Sequence, residues 1–237
     1  MYKGLIRRCK LVVLCSILFV ILTGSAMLAF PGGSLIDRLS IHYNFFENYL
    51  SILGSTVTIS GKINTISSIL FTIAMSGMGL VLIYFSNIWK TLEFGAGKNL
   101  FIGYLSNASL VLSGISFIGI AFSPFNLYID NHLVFLKILF ASLLAWTIFI
   151  IIMQSGVKKL LSYFIINIVY SFVLVIYLYV LFFGPKFGTT EELKFQVLTQ
   201  ILAFYLTIIN LMIQAIGFIK YLRTSDFRNK GLKDFYV

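Results

Sequence analysis

The sequence predicts an all-α protein, a polytopic membrane bundle of six transmembrane helices with both termini in the cytoplasm. Three observations lead to this prediction. Only 11% of the 237 residues are charged and the mean hydropathy is +0.97, whereas soluble domains carry about 25% charged residues. Six apolar runs are each long enough to cross a hydrocarbon core of about 30 Å. Lysine and arginine are concentrated in alternate connections between these runs.

The apolar runs divide the whole chain into predicted spans. They cover residues 11–30, 64–85, 100–122, 133–153, 160–183 and 195–218. The first run follows a basic start, but it exceeds the roughly 7–15 apolar residues of a signal-peptide core, so we expect a retained helix. No Pro/Gly-rich linker interrupts the chain, and we therefore expect residues 1–237 to form a single integral membrane domain.

The orientation follows from the basic residues, which favour the cytoplasmic side. One side receives Lys3, Arg7, Arg8, Lys10, Lys90, Lys98, Lys158, Lys159, Lys220, Arg223, Arg228, Lys230 and Lys233. The other side receives only Arg38, Lys62, Lys137, Lys186 and Lys194. The sequence therefore predicts that both termini are cytoplasmic and that the loop 31–63 faces outward. In this setting the net charge of +10 indicates topology, and we expect no nucleic-acid partner.

Polar residues recur at helical spacing inside several spans. In the third and sixth spans they are Ser106, Ser109, Ser113, Ser116, Gln196, Gln200, Thr207, Asn210 and Gln214. Such stripes either hold helices together or line a polar cleft. If they line a cleft, the candidate ligand-binding residues are Lys137, Ser109, Ser113, Asn210 and Gln200. Lys137 lies near the start of the fourth span, where it either reaches the outer surface or binds an anionic head group.

The long connection 31–63 is the most polar part of the chain outside the termini. Asn44 and Glu47 have the spacing of a helix N-cap and its reciprocal partner, and Gly54 suits a helix end. Apolar residues recur at helical spacing between 41 and 52. We therefore expect a short amphipathic helix lying on the outer membrane interface.

Four titratable residues are candidates for chemistry on the outer side. Asp37 and His42 lie in the loop 31–63, and Asp130 and His132 lie just before the fourth span. Histidine and carboxylate groups can transfer protons or bind Zn²⁺, so these four would be the catalytic residues of an enzyme. Structural roles at helix starts explain the same residues equally simply. We predict no metal ligand set and no cofactor.

Two short motifs resemble those of a known family. Residues 48–54, Asn-Tyr-Leu-Ser-Ile-Leu-Gly, and residues 119–124, Gly-Ile-Ala-Phe-Ser-Pro, followed by Asp130 and His132, carry the resemblance. They are similar to motifs of a prokaryotic membrane family known as domain of unknown function 998, which is similar to the Frag/DRAM/Sfk-like six-helix proteins. The resemblance implies a six-helix fold with a polar outer site, and it hints at lipids. The bulky residues 133–135 depart from the family pattern.

Three functions are compatible with this sequence. The leading hypothesis is a non-enzymatic protein of the plasma membrane that binds membrane lipids or a partner protein, including a second copy of itself, through its outer loops and a polar cleft between helices. The first alternative is an outer-leaflet lipid hydrolase or transferase that uses His42, Asp130 and His132. The second alternative is a transporter of small solutes, which would require broken helices near the midplane.

Overall fold

The computed structural model describes residues 2–88, 100–155, 157–185 and 188–224, which contain six α-helices. The helices are α1 (Tyr2–Ala29), α2 (Thr65–Ser86), α3 (Leu100–Ala121), α4 (Ile129–Gln154), α5 (Leu161–Phe183) and α6 (Thr190–Leu222). All six are long and apolar enough to cross a membrane. The described residues include no β-strand beyond an isolated bridge between Val57 and Ile63. The predicted all-α fold with six candidate membrane spans is confirmed.

Two helices extend well beyond the predicted spans. The helix α1 begins at Tyr2 rather than at residue 11, and α6 covers 190–222 rather than 195–218. Hydropathy marks only the part of a helix that lipid surrounds, whereas the helix itself continues to its cap. For α6 that cap is a capping box, in which Glu192 N–H donates to Thr189 Oγ1 (3.2 Å) and Thr189 N–H donates to Glu192 Oε2 (2.9 Å).

The helices pack in chain order, and the sixth returns to the first. Each helix contacts the next one along the chain, and α1 also packs against α6. Four buried phenylalanines join α1, α3, α4 and α6, with edge-to-face contacts between Phe19 and Phe117, between Phe117 and Phe204, and between Phe140 and Phe204. Since lipid is as apolar as these side chains, close packing rather than the hydrophobic effect must stabilise the centre of the bundle.

The segment between α1 and α2 covers one end of the bundle. This end, the loop face, also carries the connection 122–128 and the described residues 184–185 and 188–189 between α5 and α6. The segment leaves α1 through Gly32 and Gly33, whose φ angles of 98° and 91° strongly favour glycine. Asn48 Nδ2 donates to Gly33 O (2.9 Å), and Asn64 Nδ2 donates to Leu53 O (3.0 Å). Buried amide side chains therefore hold this segment against the helix ends.

The predicted amphipathic helix of this loop does not form. Residues 45–47 make a turn, and the helical element is a 3₁₀ helix at Leu50–Gly54 whose residues are all buried. Asn44 Oδ1 accepts from the N–H of Phe46, while Glu47 Oε2 accepts from the Ser34 hydroxyl at 2.7 Å. The Glu47 side chain thus bonds Ser34 rather than acting as the reciprocal cap of Asn44. These contacts, made across the sequence, override the local helical pattern.

Some of the basic residues used to predict orientation lie outside the described residues. They are Lys90, Lys98, Lys186, Arg228, Lys230 and Lys233. Among the described ones, Lys62 lies on the loop face, where Nζ donates to Pro31 O at 3.1 Å. Lys158 is exposed at the opposite end, in the 3₁₀ turn Lys158–Leu160 between α4 and α5. The sidedness of the bundle in the membrane stays a prediction.

Candidate functional site

A cavity of about 460 Å³ opens near the loop face, among α4, α5, α6 and the 3₁₀ helix Leu50–Gly54. Ligand pockets commonly measure roughly 300–1,000 Å³. Most of its lining is apolar, including Leu133, Leu136 and Leu181. Two lining residues, Ile129 (45%) and Phe182 (53%), are about half exposed, so the cavity reaches the surface between the start of α4 and the end of α5.

His132 is a residue of the cavity lining, and its ring carries a buried acceptor atom. Its side chain is 1% exposed, and Nδ1 lies 2.7 Å from the carbonyl oxygen of Ser123. A carbonyl oxygen can only accept, so Nδ1 must carry the proton. In the neutral ring Nε2 is then an acceptor, and it has no hydrogen-bond partner within the described structure. A buried acceptor without a partner costs about 1–3 kcal/mol.

Gln200 on α6 repeats this situation on another wall of the cavity. The residue is 5% exposed, its side chain interacts with the Tyr177 hydroxyl, and Oε1 has no partner among the described residues. Gln196, one turn earlier, also lines the cavity, but both polar atoms of its amide have protein partners. Its Oε1 accepts from the Tyr49 hydroxyl at 2.8 Å, and its Nε2 donates to the carbonyl of Pro185. Gln200 Oε1 is therefore available to accept a hydrogen bond from a ligand, whereas the amide atoms of Gln196 already bond the protein.

Tyr49 belongs to the wall that the loop provides. Burial raises the pKa of its phenol, so the hydroxyl keeps its proton at neutral pH. The protonated hydroxyl can then act as the donor to Gln196 Oε1. This bond joins the loop segment to α6 and fixes one side of the cavity.

Lys137 is the cationic group of the lining. It is half-buried, and Nζ lies 5.2 Å from the centre of the Phe182 ring, which is half exposed at the surface. A cation over an aromatic face is stabilised by about 0.5–1 kcal/mol at exposed sites. The ammonium group is therefore held near the opening, where an anionic group could reach it.

The four predicted catalytic residues occupy different environments. Asp37, His42 and Asp130 are exposed, whereas His132 is buried in the cavity wall. Asp37 Oδ1 accepts from the N–H of Leu39 at 2.9 Å, as in a local turn. In the part of the chain that the structure describes, no three His, Cys, Asp or Glu side chains lie close enough to share a metal ion.

The five predicted ligand-binding residues divide into two groups. Lys137 and Gln200 line the cavity. Ser113 instead bonds Ser142 Oγ across α3 and α4 (2.8 Å) and donates to the carbonyl of Ser109 (2.9 Å). Asn210 joins a buried set of amides, donating to Asn167 Oδ1 at 3.0 Å. Ser113 and Asn210 are therefore explained by contacts between helices, whereas Ser109 contributes only its backbone carbonyl to these bonds and does not line the cavity.

Sequence reasoning missed much of the apolar and aromatic lining of the cavity, of which Tyr49, Tyr177 and Phe182 are examples. Tyr49 had been assigned to an interfacial helix, and Tyr177 and Phe182 lay among the many aromatic residues of the fifth span. Gln196 and Gln200, four residues apart, were the available signal, because that spacing places both on one helix face. No comparison with protein-family models, curated proteins or solved structures gave a match for this chain.

Proposed function

We propose that this six-helix membrane protein binds a membrane lipid in the cavity at the loop face. The observation that carries the proposal is the combination of an apolar lining with a few polar groups that are not satisfied by the protein. His132 Nε2 and Gln200 Oε1 supply buried acceptors, and Lys137 supplies a positive charge near the opening. An apolar lining that opens to the surface of a membrane-spanning bundle suits an acyl chain, and the polar groups suit a head group.

The proposal also includes the location of the protein and the side of the membrane on which the cavity lies. The positive-inside rule puts the loop face, and with it the cavity, on the outer side of the plasma membrane, with both termini in the cytoplasm. The lipid would then come from the outer leaflet. The resemblance to domain of unknown function 998 supports a polar outer site in a six-helix protein, and that family membership is part of the proposal.

The alternative functions have less support. A hydrolase or transferase would need His42, Asp37 or Asp130 beside His132, and these three are exposed while His132 is buried. A transporter would need broken helices, whereas each of the six described helices is continuous over its range. A partner protein or a second copy could also cover the apolar surface of the bundle, and it would appear as a co-purifying subunit.

The test is thermal unfolding of the purified protein in detergent with a panel of lipids. A ligand at about 100 times its Kd stabilises a protein by about 2.7 kcal/mol. We expect wild type to be stabilised by at least one lipid, and Leu181→Trp, which fills the cavity, to lose this effect. Ile176→Trp is the matched control, because Ile176 lies on the same helix with its side chain 59% exposed.

The outcomes separate lipid binding from the alternatives. Lysine variants provide a second check, because Lys137→Gln should weaken lipid stabilisation while Lys158→Gln, at the opposite end of the bundle, should not. Lipid stabilisation that is equal in Leu181→Trp and in wild type would remove the cavity from the proposal. The absence of any lipid effect, with a subunit that co-purifies, would favour the partner-protein alternative.

A further inference from the structure

We infer that the cavity selects a phospholipid whose phosphate carries a polyol head group. This inference rests on the proposed function and specifies its ligand. It follows from the kind of polar atoms that the protein leaves without partners. In the described lining, the two unpartnered buried atoms, His132 Nε2 and Gln200 Oε1, are both acceptors. A complementary ligand must therefore bring hydrogen-bond donors into the cavity.

The acceptor character of His132 is fixed by its surroundings. Its Nδ1–H donates to the Ser123 carbonyl, and the ring packs edge-to-face against Phe125 at 5.9 Å. These two contacts hold the ring in one orientation and one tautomer. Burial among apolar groups favours the neutral ring, because an unpaired buried charge is costly. Nε2 therefore requires a hydroxyl or an amine from the ligand.

The positive charge of Lys137 favours a hydroxyl over an amine as the donor that the ligand provides. It lines the same cavity as His132 and Gln200 and provides a positive charge at the side that is open to the surface. The ammonium of an ethanolamine head group would be repelled by that charge, and the described lining offers it no carboxylate side chain. Hydroxyl groups avoid this cost. The Lys137 ammonium is suited instead to a phosphate, with which it forms a charge-assisted hydrogen bond.

A phosphate that bears a polyol satisfies all three groups together. Its hydroxyls donate to His132 Nε2 and Gln200 Oε1, and its phosphate oxygens accept from Lys137 Nζ. Phosphatidic acid would offer the phosphate without the hydroxyls. Phosphatidylethanolamine would offer donors, but with a positive charge. The cavity should therefore discriminate among phospholipids by the group beyond the phosphate.

The experiment compares binding of three lipids with identical acyl chains to the full-length protein in detergent. The probes are phosphatidylglycerol, phosphatidic acid and phosphatidylethanolamine. We expect wild type to bind phosphatidylglycerol about tenfold more tightly than either other lipid, since two hydrogen bonds at the usual net strength give about this factor. Wild type that binds phosphatidylglycerol and phosphatidic acid equally would overturn the inference but leave lipid binding intact. No binding of any lipid would overturn the proposed function itself.

Two variants assign the preference to the named atoms. His132→Asn retains a donor for the Ser123 carbonyl but removes the Nε2 acceptor, and Gln200→Met removes the amide at similar volume. Each should reduce the preference for phosphatidylglycerol to about threefold or less, whereas Lys137→Gln should weaken phosphatidylglycerol and phosphatidic acid alike. If His132→Asn does not fold, Gln200→Met gives the answer alone. An unchanged preference in the folded variants would overturn the inference.

Discussion

Asn210 on α6 donates a 3.0 Å hydrogen bond to Oδ1 of Asn167 on α5, and both side chains are buried. The bond is part of a longer set. Asn167 Nδ2 donates to Gln154 Oε1 (3.1 Å), and Gln154 Nε2 donates to Gln214 Oε1 (2.9 Å). Four amides thus connect α4, α5 and α6, the same three helices that enclose the cavity near the opposite end.

Removing the central amide of this set should destabilise the protein. Asn167→Leu leaves donors or acceptors of its neighbours buried and unpaired, so we expect a loss of about 1–3 kcal/mol. The measurement is the midpoint of unfolding in detergent mixtures of increasing denaturing strength. Ser171→Ala, one turn along α5, is the control, because the Ser171 hydroxyl bonds only the carbonyl of Ile168 in the described structure. A similar loss in both variants would contradict the role of the amide set.

The contact between α2 and α3 depends on two glycines that face each other. A Cβ atom built on Gly79 would lie 2.5 Å from Gly114 O, and one on Gly114 would lie 2.6 Å from Gly79 O. Gly79→Ala should therefore force the helices apart and destabilise the protein by roughly 1–3 kcal/mol. Gly77→Ala is the control, since a Cβ there meets nothing within 4 Å.

The two glycine substitutions should change the stability of the protein in different directions. Alanine favours a helix over glycine by about 1 kcal/mol, so Gly77→Ala should be neutral or slightly stabilising. Thermal unfolding of the two variants in one detergent provides the comparison. A Gly79→Ala protein as stable as Gly77→Ala would show that α2 and α3 do not approach as closely as their backbones indicate.

The stability of the loop segment should depend on the side-chain nitrogen of Asn48, Nδ2. This nitrogen donates to Gly33 O, while Asn48 Oδ1 accepts from the N–H of Asn44 at 2.9 Å. Asn48→Asp would place a carboxylate oxygen against the Gly33 carbonyl, and we expect faster proteolysis within residues 30–64 and a lower melting temperature. Asn44→Asp should have little effect, because Asn44 Oδ1 only accepts, from Phe46 N–H. Equal sensitivity of both variants would argue against the Asn48 contact.

Stability should fall at alkaline pH because of Tyr43. Burial, with a smaller contribution from Tyr205, raises the pKa of the Tyr43 phenol, whose hydroxyl donates to Asn48 O at 2.7 Å. An unfolded tyrosine ionises near pH 10. The contribution of the protonated Tyr43 phenol to the free energy of unfolding is therefore complete below about pH 10. It is lost as the pH rises toward the pKa of Tyr43 in the folded state.

The corresponding measurement is the melting temperature between about pH 8 and pH 11. Wild type should lose stability more steeply than Tyr43→Phe above about pH 10, since phenylalanine cannot ionise. Tyr43→Phe should start from a somewhat lower value because it lacks the bond to Asn48. Parallel profiles for the two proteins would show that the Tyr43 phenol titrates normally.

The helices could be predicted because a membrane span is a local property. Twenty apolar residues in sequence are sufficient evidence for one, and the six predicted spans match the six helices. The loop could not be predicted in the same way. Apolar residues recur at helical spacing between 41 and 52, yet Asn48 and Glu47 bond residues far from them in sequence. Sequence periodicity carries no information about such partners.

The candidate site was only partly predictable for a related reason. A polar residue on a span is visible in the sequence, but its partner is not. Gln200 and Asn210 belong to one stripe, and only the fold distinguishes Gln200, with an unpaired Oε1, from Asn210, which is bonded to Asn167. His132 was singled out as a possible catalytic group, whereas its fixed tautomer at the cavity wall depends on Ser123 O.

The most direct test of lipid binding in the cavity is an experimental structure of the protein in lipid nanodiscs that contain phosphatidylglycerol. We expect density for a head group within hydrogen-bond distance of His132 Nε2 and Gln200 Oε1, with an acyl chain leaving between α4 and α5 past Phe182. A cavity that holds only water, or one closed by a rearrangement of Leu133 and Leu181, would contradict it.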